Sequence, residues 1–273
     1  VTQKPNPSPA GATEAPAASD QYVQSLARGL AVIRSFDAEH PQMTLSEVAA
    51  RTDLTRATAR RFLHTLVELG YVRTDGKDFA LTAKVLQLGY AYLSGLSLPQ
   101  IAQPHLEELS LALGESTSAA VLEGQDISYV ARVATRRIMT VGITVGTRFP
   151  AYATSMGRVL LAALPPEELA RYLDTADLRP LTPHTIADRA GLEAELATVR
   201  AQGWCLLDQE LELGLMSVAA PIHDGPKVVA AINVSLQAQA VAARPDPAAY
   251  LDSVREAAVA TAELISADLS AKS

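Results

Sequence analysis

Apolar positions along this 273-residue chain change period near its middle. In the N-terminal third they fall at helical spacings. Leu26, Leu30 and Ile33 stand at i, i+4, i+7 and predict a helix over 23–36. Leu45, Val48 and Ala49 predict a short second helix, with Thr44 and Glu47 spaced as a capping box. After the turn Asp53-Leu54-Thr55, the residues Ala59, Phe62, Leu63, Leu66 and Leu69 form the apolar stripe of a third helix, which Thr55 caps and Gly70 ends. Two short β-runs then flank Asp75-Gly76-Lys77 as a hairpin. Leu86, Tyr90 and Leu93 share a stripe over 82–97, which predicts a linker helix.

From Leu98 onward the pattern is mixed. A helix is expected from Pro99 to Leu113. Strands are expected at 116–122, 127–133 and 138–145, then at 204–208, 217–222 and 228–236. Helices are expected over 155–164, 167–173, 192–202 and 247–269. Hairpin-length connections predict mostly antiparallel pairing. The expected fold class is α+β: an N-terminal winged helix-turn-helix over 22–81, a linker helix over 82–97, and a C-terminal α/β effector-binding domain over 98–270 with a mostly antiparallel curved sheet. Residues 1–21, rich in Pro and Ala, read as a disordered tail without the apolar core of a signal peptide.

Charge sharpens this division. Residues 22–80 carry 8 Lys/Arg and 7 Asp/Glu, whereas residues 81–273 carry 14 and 21. Within 51–61 there are four arginines and one acid. A local positive field on an acidic body suits a small nucleic-acid reading head. Small and basic residues in the first half of the third helix suit a major groove, where guanidinium forks meet guanine edges or phosphates. The candidate DNA contacts are Thr44, Thr55, Arg56, Thr58, Arg60, Arg61 and Lys77. The other reading of the same pattern is an amphipathic helical hairpin with a solvated arginine face.

Enzyme chemistry finds little support. No Gly-x-Ser-x-Gly, His-Glu-x-x-His, P-loop or Gly-x-Gly-x-x-Gly is present, and the 5 histidines have no metal-ligand spacing. No cofactor and no metal are expected. The single cysteine, Cys205, forms no internal disulfide, fits a reducing cytoplasm and reads as packing. No apolar run approaches a membrane span, so no membrane partner is expected.

Six segments together resemble the IclR family of bacterial transcriptional regulators: QSLARGLAVIRSF (24–36), LTRATARRFLHTL (54–66), LGYAYL (88–93), YVARVATRRIMTVGITVGTRFPAYATSMGRVLLAAL (129–164), DQELELGLMSVAAPI (208–222) and AINVSL (231–236). Arg136 to Met139 and Pro150 to Arg158 are similar to the PcaR/PcaU/PobR subgroup, regulators of aromatic-acid catabolism. The resemblance implies a double-stranded DNA operator, a small organic or aromatic acid effector, a homodimer or tetramer, and RNA polymerase as a partner if the output is activation. It implies a pocket lined by Ala153, Thr154, Ser155, Met156, Asp208, Ser217, Asn233 and Ser235. Ser217 and Asn233 stand where other residues often occur in the family, which leaves the ligand open: protocatechuate, 4-hydroxybenzoate or β-ketoadipate, or a glyoxylate-like acid in another carbon pathway. A ligand sensor whose head binds protein instead of DNA is the reading from another class.

Three physical expectations accompany the resemblance. Thr154 and Ser155 begin a helix whose free N–H groups suit a carboxylate, or serve as an ordinary cap. Arg136, Arg137 and Arg148 face either the ligand or the body's own acids. Asp208 is expected to accept a hydrogen bond in the pocket, so that Asp208→Ala or Ser217→Ala abolishes the ligand response, and Glu210 and Glu212 are expected to be solvated or interface charges. A bound acid is expected to favour one arrangement of two heads, transmitted through the helix over 83–93 and the Pro99 boundary.

Overall fold

The computed structural model describes residues 22–88, 97–135 and 143–271. Arg136, Arg137, most of the strand expected over 138–145 and the second half of the expected linker helix lie outside the described residues. Those that are described fall into two compact units, one ending at Leu88 and one beginning at Ser97.

The first unit contains α1 (Gln24–Arg34), β1 (Gln42–Thr44), α2 (Leu45–Arg51), α3 (Arg56–Glu68), β2 (Val72–Thr74) and β3 (Asp78–Leu81), followed by a 3₁₀ turn at Ala83–Val85. Its core joins Val32, Phe36, Met43, Val48, Leu63, Leu66, Val72 and Phe79. Of the stripe expected on α1, Ile33 packs against this core, whereas Leu26 and Leu30 are 64% and 47% exposed and Val32 is buried. Leu69 is likewise exposed. The local start and stop signals do form. The Thr44 hydroxyl accepts from the Glu47 amide while the Glu47 carboxylate accepts from the Thr44 amide at 2.7 Å. Thr55 accepts from the Thr58 amide. Asp53 adopts a left-handed φ of 51° in the turn between α2 and α3. Gly70, at φ 78°, closes α3: the Tyr71 amide donates to Leu66 O and the Gly70 amide to Val67 O, the two bonds of a Schellman motif. The strands order β1-β3-β2, so β1, absent from the sequence-based expectation, completes the wing.

The second unit is a six-stranded, wholly antiparallel sheet in the order β6-β5-β4-β9-β8-β7. Its strands are β4 (Ser116–Glu123), β5 (Asp126–Val133), β6 (Arg148–Pro150), β7 (Cys205–Asp208), β8 (Leu215–Asp224) and β9 (Lys227–Gln237). Alternation in β8 and β9 sends Met216, Val218, Ala220, Ile232, Val234 and Leu236 to one face. There they meet α4 (Ser97–Leu113) and the C-terminal helix α9 (Pro247–Ser270). The opposite face is covered by α5 (Ser155–Ala162), α6 (Pro166–Thr175) and α7 (Arg189–Gln202), with Ala120, Tyr129, Ala219 and Ala231 supplied from the sheet. The short strand β6 and the short helix α8 (Ala238–Ala242) are the other elements that periodicity did not announce.

Candidate functional site

In the first unit, α3 buries Ala59, Leu63 and Leu66 and leaves Arg56, Ala57, Arg60 and Arg61 exposed along its other side. Among the described residues, no ion pair involves Arg56, Arg60 or Arg61. Arg51 differs from them. Its Nη2 donates to Asp37 at 2.6 Å and its Nε to Ser35 O, so its charge anchors the end of α1. Thr55 and Thr58 share a hydroxyl contact of 2.9 Å at the start of α3. Lys77 is exposed in the wing turn, where its amide and that of Asp78 donate to the Asp75 carboxylate. Thr44 is occupied by its capping box.

In the second unit a small polar pocket lies between the sheet and the start of α5. Ala153, Thr154, Ser155, Met156, Ser217, Asn233 and Ser235 line it together, seven of the residues the family resemblance pointed to. Register explains the convergence. Ser217 of β8 stands opposite Ser235 of β9, which stands opposite Ser116 of β4. The Ser217 hydroxyl donates to Ser155 Oγ at 2.8 Å, joining sheet to helix. Asn233 Nδ2 donates to Ser235 Oγ, and Asn233 Oδ1 is buried without a partner. Thr154 is the true cap of α5: its hydroxyl accepts from the Gly157 amide at 3.1 Å, leaving the Ser155 hydroxyl free to turn toward Ser217. Tyr129, Ile143, Leu207, Leu211 and Leu215 complete the wall. Tyr129 packs edge-on against Phe149, and burial pushes its phenol up to about 12. The enclosed volume is about 10 Å³, room for roughly one water.

Two expected residues are placed elsewhere. Asp208 pairs with Met216 and is exposed, whereas its neighbour Leu207 pairs with Ser217 and lines the pocket. One step along a strand reverses the face, and the acid expected in the pocket points away from it. Arg148 lies on β6 with Nη1 2.9 Å from Glu123 and Nε 3.3 Å from Asp126, so it pairs with the body's own acids. Glu210 is corrected in the other direction. Expected to be a solvated or interface charge, it is buried against Arg158. Cys205 is buried as expected, and burial pushes its thiol up to about 12. A wider cleft of about 1240 Å³ between α5, α7 and α9 is lined by Trp204 and contains none of the expected residues.

A winged helix-turn-helix carrying an unpaired arginine face, joined in one chain to an α/β unit with an enclosed polar pocket, defines a ligand-responsive transcriptional regulator. The chain belongs to the IclR family: the IclR helix-turn-helix domain matches residues 25–76, and the bacterial transcriptional regulator IclR C-terminal domain matches residues 90–266. It is a DNA-binding regulator and not an enzyme. It is 49% identical to the Pca regulon regulatory protein of Pseudomonas putida over 84% of this chain and 79% of the relative. It is 35% identical to the p-hydroxybenzoate hydroxylase transcriptional activator of Acinetobacter baylyi over 82% and 84%. Among solved structures, a transcriptional regulator from Rhodococcus sp. RHA1 is 57% identical at a TM-score of 0.80, covering 92% of this chain and all of that one. An IclR homologue from Microbacterium hydrocarbonoxydans complexed with 4-hydroxybenzoate is 26% identical at a TM-score of 0.79, covering 91% and 100%.

Proposed function

We propose that this regulator senses a small aromatic acid of the protocatechuate or 4-hydroxybenzoate class in the pocket between its sheet and α5, and controls the operon that degrades it. The observation that carries the reading is the polar lining Ser155–Ser217–Ser235–Asn233, enclosed by Tyr129, Leu207, Leu211 and Leu215. Apolar walls with a few convergent hydroxyls and an amide suit a flat ring bearing polar substituents once the walls part to admit it, since the closed pocket has room for about one water. The relatives named for the Pca regulon and for p-hydroxybenzoate hydroxylase, and the neighbour complexed with 4-hydroxybenzoate, support the same class.

Arg56, Arg60 and Arg61 read the operator, with Thr55, Thr58 and Lys77 on the backbone. The protein works in the cytoplasm as a homodimer or tetramer, because one weakly basic head makes few phosphate contacts. An activator of this type also contacts RNA polymerase. The ligand acts by binding one arrangement of the heads better than another.

A thermal-shift screen of the purified protein against protocatechuate, 4-hydroxybenzoate, β-ketoadipate and glyoxylate tests the reading. At 100 times Kd a bound acid adds about 2.7 kcal/mol to stability. Stabilisation by an aromatic acid is the expected result. A shift with glyoxylate alone favours the second reading, a sensor of a two-carbon acid. No shift with any acid would sink the sensing role.

A further inference from the structure

Among the described residues, the pocket wall contains no charged side chain. A carboxylate that leaves water for such a site needs a cation or several donors, since burying an unpaired charge is costly. Two other arginines of this unit are already committed. Arg148 pairs with Glu123 and Asp126, and Arg158 holds Glu210 through both terminal nitrogens and Tyr152 O through Nε.

Arg132 is different. Its Nη1 donates to Ser118 Oγ at 2.9 Å, its Nε is buried with no partner, and no carboxylate among the described residues pairs with it. Ser118 lies opposite Arg132 on one side and opposite Asn233 on the other, so the three form one row across β5, β4 and β9. Adjacent strands are about 4.8 Å apart, which puts the Arg132 and Asn233 backbones about 10 Å apart on the same face. An arginine side chain directed along that row, as the Ser118 bond shows it to be, spans most of the gap. The buried side-chain polar atoms without a partner among the described residues are Arg132 Nε and Asn233 Oδ1, the two ends of this row.

A β-bulge makes the arrangement. The β4–β5 register shifts between Ala119 and Ala120, so Val130 is extra. Tyr129 therefore opposes Ala120 and Arg132 opposes Ser118, and both face the pocket side although they are an odd number of positions apart. The proximity is felt electrostatically: the Arg132 charge partly offsets the effect of burial on the Tyr129 phenol.

We propose that Arg132 is the cation that binds the effector's carboxylate, reaching the pocket along the row Arg132–Ser118–Asn233, while Asn233 Oδ1 accepts from a ligand hydroxyl. This rests on the aromatic-acid reading above. It separates a ligand-binding arginine from the arginines that pair with the protein's own acids.

The test is calorimetric titration of the full-length protein with 4-hydroxybenzoate and with its neutral counterpart 4-hydroxybenzamide. Wild type is expected to prefer the acid. Arg132→Gln should weaken the acid roughly 10- to 100-fold, the range for a lost charged hydrogen bond, and leave the amide within about twofold. Arg132→Lys should recover part of the preference. An unchanged acid-to-amide ratio in Arg132→Gln overturns the proposal. Binding of the amide reports an intact pocket. If Arg132→Gln does not fold, Ser118→Ala, which removes only the hydroxyl steering Nη1, is read by the same ratio: a fall supports the assignment and no change overturns it. A wild type that binds neither ligand and no other aromatic acid refutes the sensing role itself, and the assignment of Arg132 with it.

Discussion

Arg158, 1% exposed, meets both carboxylate oxygens of Glu210 at 2.7 and 2.5 Å. Arg158 sits on α5 one turn beyond the pocket residue Ser155, and Glu210 precedes the pocket residue Leu211. The pair therefore fixes the 209–214 loop against the helix whose start lines the pocket. Glu210 also accepts from the Ile186 amide, and its carbonyl accepts from Thr185. Removing Glu210 leaves the buried Arg158 with one carboxylate among the described residues, that of Glu195 at 3.8 Å, so Glu210→Ala should cost about 3–5 kcal/mol. Urea denaturation checks the value. A cost under about 1 kcal/mol would mean that solvent reaches Arg158 in solution.

Gly157 allows α5 to start where it does. A Cβ there would lie 2.1 Å from Ala151 O and 2.5 Å from Thr154 Oγ1. Gly157→Ala should destabilise by about 1–3 kcal/mol through overpacking, and should weaken effector binding by displacing Ser155 and Met156. Thermal unfolding and ligand titration of the same variant read both effects.

Asp208 and Ser217 should separate cleanly. Ser217→Ala removes a pocket hydroxyl and its bond to Ser155, about 1 kcal/mol or several-fold in ligand affinity. Asp208→Ala changes an exposed side chain on the other face and should leave affinity unaltered. Equal losses in the two variants would place Asp208 back at the ligand.

Cys205 should be silent to thiol reagents at pH 8 in the folded protein and reactive once unfolded, because its thiol is held up to about 12 from an ordinary 9.0, chiefly by burial. The linkage has a definite sign. The unfolded thiol ionises first, so this contribution is complete below pH 9 and is lost as pH climbs from 9 toward 12. Rapid labelling without denaturant would contradict the buried placement.

In the head, Arg60→Ala should weaken operator binding by about 1–3 kcal/mol if it reads a base, or lower the salt slope by about 1 if it meets a phosphate. Effector affinity should not change. Fluorescence anisotropy at several salt concentrations distinguishes the two roles.

The parts of this molecule governed by local rules were legible in the sequence. Caps at Thr44 and Thr55, the Gly70 stop and the alternation of β8 and β9 each follow from neighbours within a few residues. The family resemblance brought seven of the pocket residues into view, but no single-strand pattern could assign Asp208 and Leu207 to their faces. That choice is made by the pairing of Leu207 with Ser217 across β7 and β8. Arg132 was hidden for a related reason, since a bulge at Val130 reverses the parity counted from Tyr129. Glu210 looked like one more surface acid because its partner is 52 residues away. On α1, helical spacing announced the helix and the packing of Ile33, yet Leu26 and Leu30 of the same stripe are apolar without entering the core of their own unit.

Thr44 is at once the last residue of β1, opposite Asp78 of the wing, and the cap of α2. Hairpin and helix-turn-helix thereby share a single residue. If α3 enters the groove and the wing meets the flanking backbone, as proposed above, an operator must offer the two in one spatial relation. On that docking, bending or twisting that shifts either would strain the head, and DNA stiffness would become part of what this regulator selects.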